Sequence, residues 1–485
     1  MKNRQYIISI VILAFTYFVI GFISWVNAIL IPYFKIVCEL TQFWSYLVAF
    51  AFYIAYFVMS VPAGFLLKKI GYKRGIMVAM FLVATGAFIF VPAAMTRVYL
   101  VFLTGLFTMG TGMAILQSAV NPFVTLISRE DPNQYKDKIE KAACIKRRSA
   151  QAVQRMSIMG VCNKFAGIIS PLIFASFILK ASDKSLFEAL PAMSELAKNA
   201  ALDELTSRMI IPYACLGVLL IGAGLFIRYS ILPEINSEEE SKEEETAASH
   251  ETKKYIVQYP YLVLGVLAIF THVGTQIISI DTIIGYATSM GLDLLDAKTF
   301  PSFTLTATIT GYLIGIFFVQ DKKQEEKKPE DNQMKDIQAE EKKPEDNPKV
   351  RSRYISQTKA LRICTITGLI LSCCVLFMPG HAMFKGQEIS VSIWFLVLLG
   401  LPNSLIYAGI WPVAIRNLGR FTNVGSSMLV MALCGNALFP LLYGHYADII
   451  GTRPAYWVLI PCYLYLVFYA VFGYKITSWK KIKRK

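Results

Sequence analysis

The chain of 485 residues carries 48 Lys and Arg against 33 Asp and Glu, for a formal net charge of +15. Only 17% of it is charged, where soluble proteins average about 25%. Of those charges, 33 fall within 234–254 and 321–362, so the remainder is too apolar for a water-exposed surface and a soluble multidomain enzyme is excluded. The basic residues stand in short runs beside apolar stretches, as in Lys68-Lys69, Lys73-Arg74, Lys146-Arg147-Arg148 and the tail from Lys480. That placement suits orientation determinants and contacts with anionic membrane lipid, not a nucleic-acid partner.

A bilayer core takes about 20 mostly apolar residues per helix. In chain order the qualifying stretches are 7–33, 43–67, 75–95, 98–127, 152–179, 209–232, 257–288, 300–320, 359–379, 389–415, 421–446 and 454–476. The first is too long for a leader peptide and has no small-residue cleavage site, so it reads as a span. The sequence therefore predicts an all-α integral membrane protein with twelve transmembrane helices. Placing both termini in the cytoplasm puts 38 Lys and Arg on the inner side and nine in the outer loops, with Lys164 in mid-span; this asymmetry sets the orientation.

The acidic stretch 233–256 divides the chain into an N-terminal bundle, 1–232, and a C-terminal bundle, 257–485, of six spans each. A second polar insert, 321–357, repeats Glu-Glu-Lys-Lys-Pro-Glu-Asp-Asn at 325–332 and 340–347. Mixed-charge sequence of this kind buries too little apolar surface to order itself, so both linkers are expected to be solvated cytoplasmic tethers. Pro122 of span four and Pro412 of span ten align with a shift of 290 residues, which supports two related halves.

An ionisable group in hydrocarbon costs at least about 2.5–3.5 kcal/mol, so it normally faces a cavity or a partner. Lys164 lies near the middle of span five, and His272 and Asp281 lie in span seven, although Asp281 can also be framed at the end of that span near the interface. Uncharged polar candidates are Asn27, Gln117, Asn121, Asn163, Gln276, Asn403 and Asn436, each of which could instead tie neighbouring helices together. Trp411, next to the mid-span Pro412, offers a flat face to a ligand. There is no Walker-type phosphate loop, nucleophile elbow or His-Glu-x-x-His motif, so neither an enzyme nor an ATP-driven pump is expected and no cofactor or metal is called for. Amides and an aromatic face with few charges suit a neutral polyhydroxylated ligand.

The stretch Pro62-Ala63-Gly64-Phe65-Leu66-Leu67-Lys68-Lys69-Ile70-Gly71-Tyr72-Lys73-Arg74 resembles the loop between spans two and three in the major facilitator superfamily. Its Lys68-Lys69 pair is similar to the fucose–proton symporter family, which includes bacterial fucose and glucose/galactose permeases. Two further blocks resemble that family: Gln117-Ser118-Ala119-Val120-Asn121-Pro122-Phe123-Val124, and Ile415-Arg416-Asn417-Leu418-Gly419 with Gly425-Ser426-Ser427. The resemblance implies the major facilitator fold, a monosaccharide as substrate and an inner-membrane location. It places substrate contacts at Asn27, Gln117, Asn121, Asn163, Gln276 and Trp411.

The departures from the family concern coupling. Ala28 stands where the family has Asp, Gln117 where it has Glu, and Lys164 where its span five has Ser. Neither a methyl nor an amide titrates, so the family's proton route is absent from these positions. A facilitator driven by the sugar gradient is then the reading with fewest assumptions. The other transport reading moves coupling, to proton or sodium, onto Lys164 or Asp281. Two further readings remain: a carrier of another small solute, and a sugar sensor that does not transport.

Overall fold

The structure is a computed structural model describing residues 3–127, 138–180, 182–233, 255–318, 357–416, 418 and 421–479. It is helical throughout, apart from one small hairpin, and the predicted spans are recovered in order. The N-terminal six are Asn3–Trp25 with Asn27–Val37, Leu47–Ile70, Tyr72–Thr96, Tyr99–Leu126, Lys138–Ile178 and Ile210–Tyr229. The C-terminal six are Pro260–Asp281 with Ile283–Ser289, Phe300–Phe318, Gln357–Phe377, Ser392–Leu398 with Gly400–Ile415, Thr422–Met431 with Gly435–Ile450, and Pro454–Val458 with Leu459–Val471. Among the described residues eleven helices are long and apolar enough to cross a bilayer. The remaining predicted span, the eighth, is the 19-residue helix Phe300–Phe318, about 28 Å long. Both charged linkers fall almost wholly outside the described residues.

Several spans read as continuous in the sequence are broken, and three of the breaks have a clear local cause. Span one breaks at Val26, whose carbonyl is shared by the N–H groups of Ile29 and Leu30 at 3.1 and 3.3 Å, one turn before Pro32. Span seven breaks at Thr282, whose hydroxyl bonds the Ile278 carbonyl at 2.7 Å in competition with its own N–H at 3.2 Å, a pattern that bends helices. Span ten breaks at Leu399, beside the Leu398 carbonyl that Pro402 cannot satisfy. Span five instead begins earlier than the apolar pattern suggested, at Lys138, because its Lys-, Arg-, Ala- and Gln-rich start favours helix without being apolar.

Span ten also starts later than expected. Residues 389–390 belong to an antiparallel hairpin, β1 His381–Phe384 with β2 Gln387–Ser390. Its two-residue turn holds Lys385 and Gly386 at φ 47° and 84°, the left-handed geometry that matches strand twist. The Phe384 ring packs 5.1 Å from Phe300 and 5.8 Å from Trp394, which seats the hairpin on spans eight and ten.

The two bundles meet along spans two and eleven and along spans five and eight. Their described polar contacts all lie at the end that carries the hairpin. Asp448, near the end of span eleven, accepts from the N–H groups of Gln42 (2.9 Å) and Phe43 (2.8 Å), which start the short helix Gln42–Ser45. The carboxylate thus satisfies orphan helix donors of the opposite bundle. Ser302 donates to the Ile168 carbonyl at 2.7 Å, and Lys184 pairs with Asp293 at 3.8 Å. Gly444 lets the helices approach so closely that any Cβ there would run into the Tyr46 ring and the Gln42 carbonyl. The seam is shut at the hairpin end.

Candidate functional site

The broken helices place polar side chains at the seam. In span one, Gly21 lies against the Asn163 carbonyl of span five, an approach that leaves no room for a side chain. That contact brings together one group of the predicted residues. The Tyr17 hydroxyl donates to Asn121 Oδ1 at 2.5 Å, Asn163 Nδ2 donates to the Tyr17 carbonyl at 3.4 Å, and Trp25 Nε1 donates to Asn163 Oδ1 at 3.3 Å. The Lys164 ammonium sits 4.1 Å from the centre of the Trp25 ring, in a place where the side chain is almost fully buried. This cation–π contact gives a desolvated amine a partner without a carboxylate.

Across the seam, Trp411 and Tyr407 of span ten pack at 5.6 Å between ring centres, and the Tyr407 ring lies within electrostatic reach of Tyr17 and of Tyr312 in span eight. Asn121, Asn163 and Trp411 are all half-buried, so they line a space instead of filling a core. Gln276 of span seven is likewise half-buried, and its side chain makes no hydrogen bond among the described residues.

A second group lies closer to the hairpin end. Gln117 Nε2 donates to the Tyr56 hydroxyl at 2.8 Å, and the Tyr56 ring stands 6.0 Å from that of Tyr53. Tyr53 in turn lies against Asn27 of span one and within electrostatic reach of Asp281. Asn27 is buried, and Asp281 is fully buried with both carboxylate oxygens unpartnered. Asp281 is the last residue of the long helix of span seven, and the chain continues beyond the break at Thr282 as Ile283–Ser289, so the carboxyl is enclosed by protein.

Not every mid-span amide belongs here. Asn403 is buried and accepts from the Tyr463 hydroxyl at 2.8 Å, which ties span ten to span twelve as a packing contact. His272 is fully buried with both ring nitrogens unpartnered. Sequence reasoning missed Trp25 and the tyrosines at 17, 53, 56 and 407, which connect the predicted residues. Their signal was weak, since aromatic residues abound in these spans and only three-dimensional contact separates a site tyrosine from a packing one. An apolar groove of about 630 Å³ between spans seven, eleven and twelve, lined by Leu267, Phe439 and Tyr465 among others, contains none of these polar residues.

A sequence profile for the Major Facilitator Superfamily matches residues 13–325. The chain belongs to the major facilitator superfamily. Its members are membrane carriers and not enzymes, in keeping with the multi-pass architecture. A Brucella abortus protein named glucose/galactose transporter is 29% identical over 477 residues, covering 98% of this chain and 96% of that protein. The L-fucose-proton symporter of Escherichia coli is 27% identical over 470 residues, covering 96% and 93%. Among solved structures, the major facilitator transporter FucP in the outward conformation matches with a TM-score of 0.63 at 24% identity, covering 97% of this chain and 99% of that one. A bacterial homologue of the lysosomal transporter Spinster, inward-facing and occupied, matches with a TM-score of 0.56 at 12% identity. At such identities the two structures speak for the fold alone.

Proposed function

We propose that this protein carries a monosaccharide of the glucose, galactose or fucose type across the cytoplasmic (inner) membrane, by alternating access of its two bundles to a site at their seam. The observation that carries the reading is the group of half-buried amides and aromatic rings, Asn121 and Asn163 with Trp411, at the seam of the bundles in a superfamily of carriers, with Gln276 as a further candidate contact. Sugar hydroxyls need paired donors and acceptors, and the apolar face of a pyranose stacks on a ring. The near-full-length likeness to sugar permeases supports the substrate class.

Residues 1–232 and 257–485 form the two moving units, and 233–256 and 321–357 are their cytoplasmic tethers. The hairpin end faces outward, so the seam is closed to the outside and the site communicates with the inside. In a cysteine-free background, Ser241→Cys and Gln333→Cys are expected to resist impermeant thiol reagents in intact cells. Labelling of either from outside would reverse the orientation.

Counterflow of labelled glucose, galactose and fucose in proteoliposomes tests the function. Exchange of at least one sugar is expected, whereas binding without exchange would make the protein a sensor. Within the site, Gln117→Ala is expected to weaken sugar binding by roughly 1–3 kcal/mol, the cost of leaving a ligand hydroxyl unpaired. An unchanged dissociation constant would reduce Gln117 to a tie between spans two and four.

A further inference from the structure

The buried carboxyl at the break in span seven has no role in binding a sugar from the seam group, and its surroundings give it another use. Asp281 closes the helix Pro260–Asp281, is fully buried, and has no hydrogen-bond or ion-pair partner on either oxygen. Asn27, the first residue after the break in span one, is likewise buried, with the Tyr53 side chain of span two against its amide. Tyr53 also lies within electrostatic reach of Asp281. Two broken helices, one from each bundle, meet here, and the carboxyl at the joint of span seven is left unsatisfied.

Tyr46, which precedes span two, and Tyr53 within it lie within electrostatic reach of the carboxyl, and the Tyr456 hydroxyl of span twelve bonds the adjoining Thr282 at 2.8 Å. Spans eight, ten, eleven and twelve bring no cation against it among the described residues. On its own helix His272 is nine residues away, about 13 Å. A carboxylate anion so placed costs several kcal/mol unless a cation joins it. A hard metal ion would need six or so oxygen ligands, where a proton needs none. Tyr46 lies within electrostatic reach both of the carboxyl and of Asp448, the residue that shuts the hairpin end. Parting the bundles there opens the carboxyl to water on that side.

We propose that Asp281 is a proton-binding site that couples transport to the proton gradient, in place of the carboxyls missing at Ala28 and Gln117. The proposal rests on the sugar-carrier reading. A proton from outside water forms an O–H bond with the open carboxylate, the neutral carboxyl permits closure, and the proton leaves to the inner water in the opposite state. One positive charge crosses per turnover. This takes the place of the facilitator reading, which the sequence favoured as the one with fewest assumptions.

The test uses the full chain in proteoliposomes with labelled glucose, galactose and fucose. An inward gradient of one pH unit is expected to drive accumulation up to about tenfold above equilibrium, the limit for one proton. Asp281→Asn should keep counterflow and lose accumulation. Accumulation driven by sodium, no accumulation in the unaltered protein despite counterflow, or accumulation surviving in Asp281→Asn would each overturn the proposal. Absence of counterflow for every sugar would instead overturn the carrier reading. In that event the infrared carbonyl band of a protonated carboxyl, expected in the unaltered protein and missing from Asp281→Asn, still decides whether this group holds a proton.

Discussion

The substitution Gly444→Trp is expected to abolish net sugar uptake while leaving the protein folded and able to bind sugar from the hairpin side. Even one Cβ at Gly444 runs into the Tyr46 ring and the Gln42 carbonyl, and an indole cannot be absorbed there without separating spans two and eleven. Overpacking of a well-packed contact costs about 1–3 kcal/mol, enough to shift a two-state population by roughly 5- to 150-fold. The three atoms nearest that Cβ all belong to the opposite bundle, so the strain falls on the closed seam. Reactivity of a cysteine placed at the buried Ser45 should rise with an impermeant reagent added on that side. If labelling and uptake both stay as they were, closure at the hairpin end is no part of the transport cycle.

Trp25→Ala is expected to be the most damaging truncation within the site. It removes the ring that faces the Lys164 ammonium at 4.1 Å and the donor to Asn163, leaving a buried charge without company. Desolvated cation–π contacts contribute about 2 kcal/mol or more, and that amount should be lost in thermal denaturation in detergent. The double variant Trp25→Ala with Lys164→Met should recover most of it, because the penalty comes from the stranded charge and not from the missing ring. Equal damage in the single and double variants would show that Trp25 acts by filling space.

The sequence made the bilayer-crossing spans legible because length and apolarity alone decide whether a helix can cross hydrocarbon. Motif blocks around Lys68, Asn121 and Arg416 carried the family. The breaks were harder to read. Prolines at 32 and 402 marked where a helix could bend, but Thr282 gave no advance sign, since a threonine bends a helix only when its hydroxyl turns back on the preceding turn. Asn27, Asn121 and Asn163 were visible as costly amides in apolar sequence, whereas Asn403, identical in that respect, proved to be a tie to Tyr463. Composition reports that a polar group is buried; only packing reports whether a partner already satisfies it. Asp281 shows the same limit from the other side, because its depth depended on how far span seven ran beyond it.

The breaks in spans one and seven have a mechanical consequence. The segment Asn27–Val37 is about 16 Å long and Ile283–Ser289 about 10 Å, so each is a short lever jointed at its inner end. A tilt of about 10° at the joint moves the tip of the longer lever by roughly 3 Å, the width of a water molecule. The hairpin end can thus be wetted by swinging two light rods while the long helical shafts behind them stay still. Small displacements of that kind are fast compared with rotation of a whole bundle, so admission of an ion and admission of a solute need not share one clock.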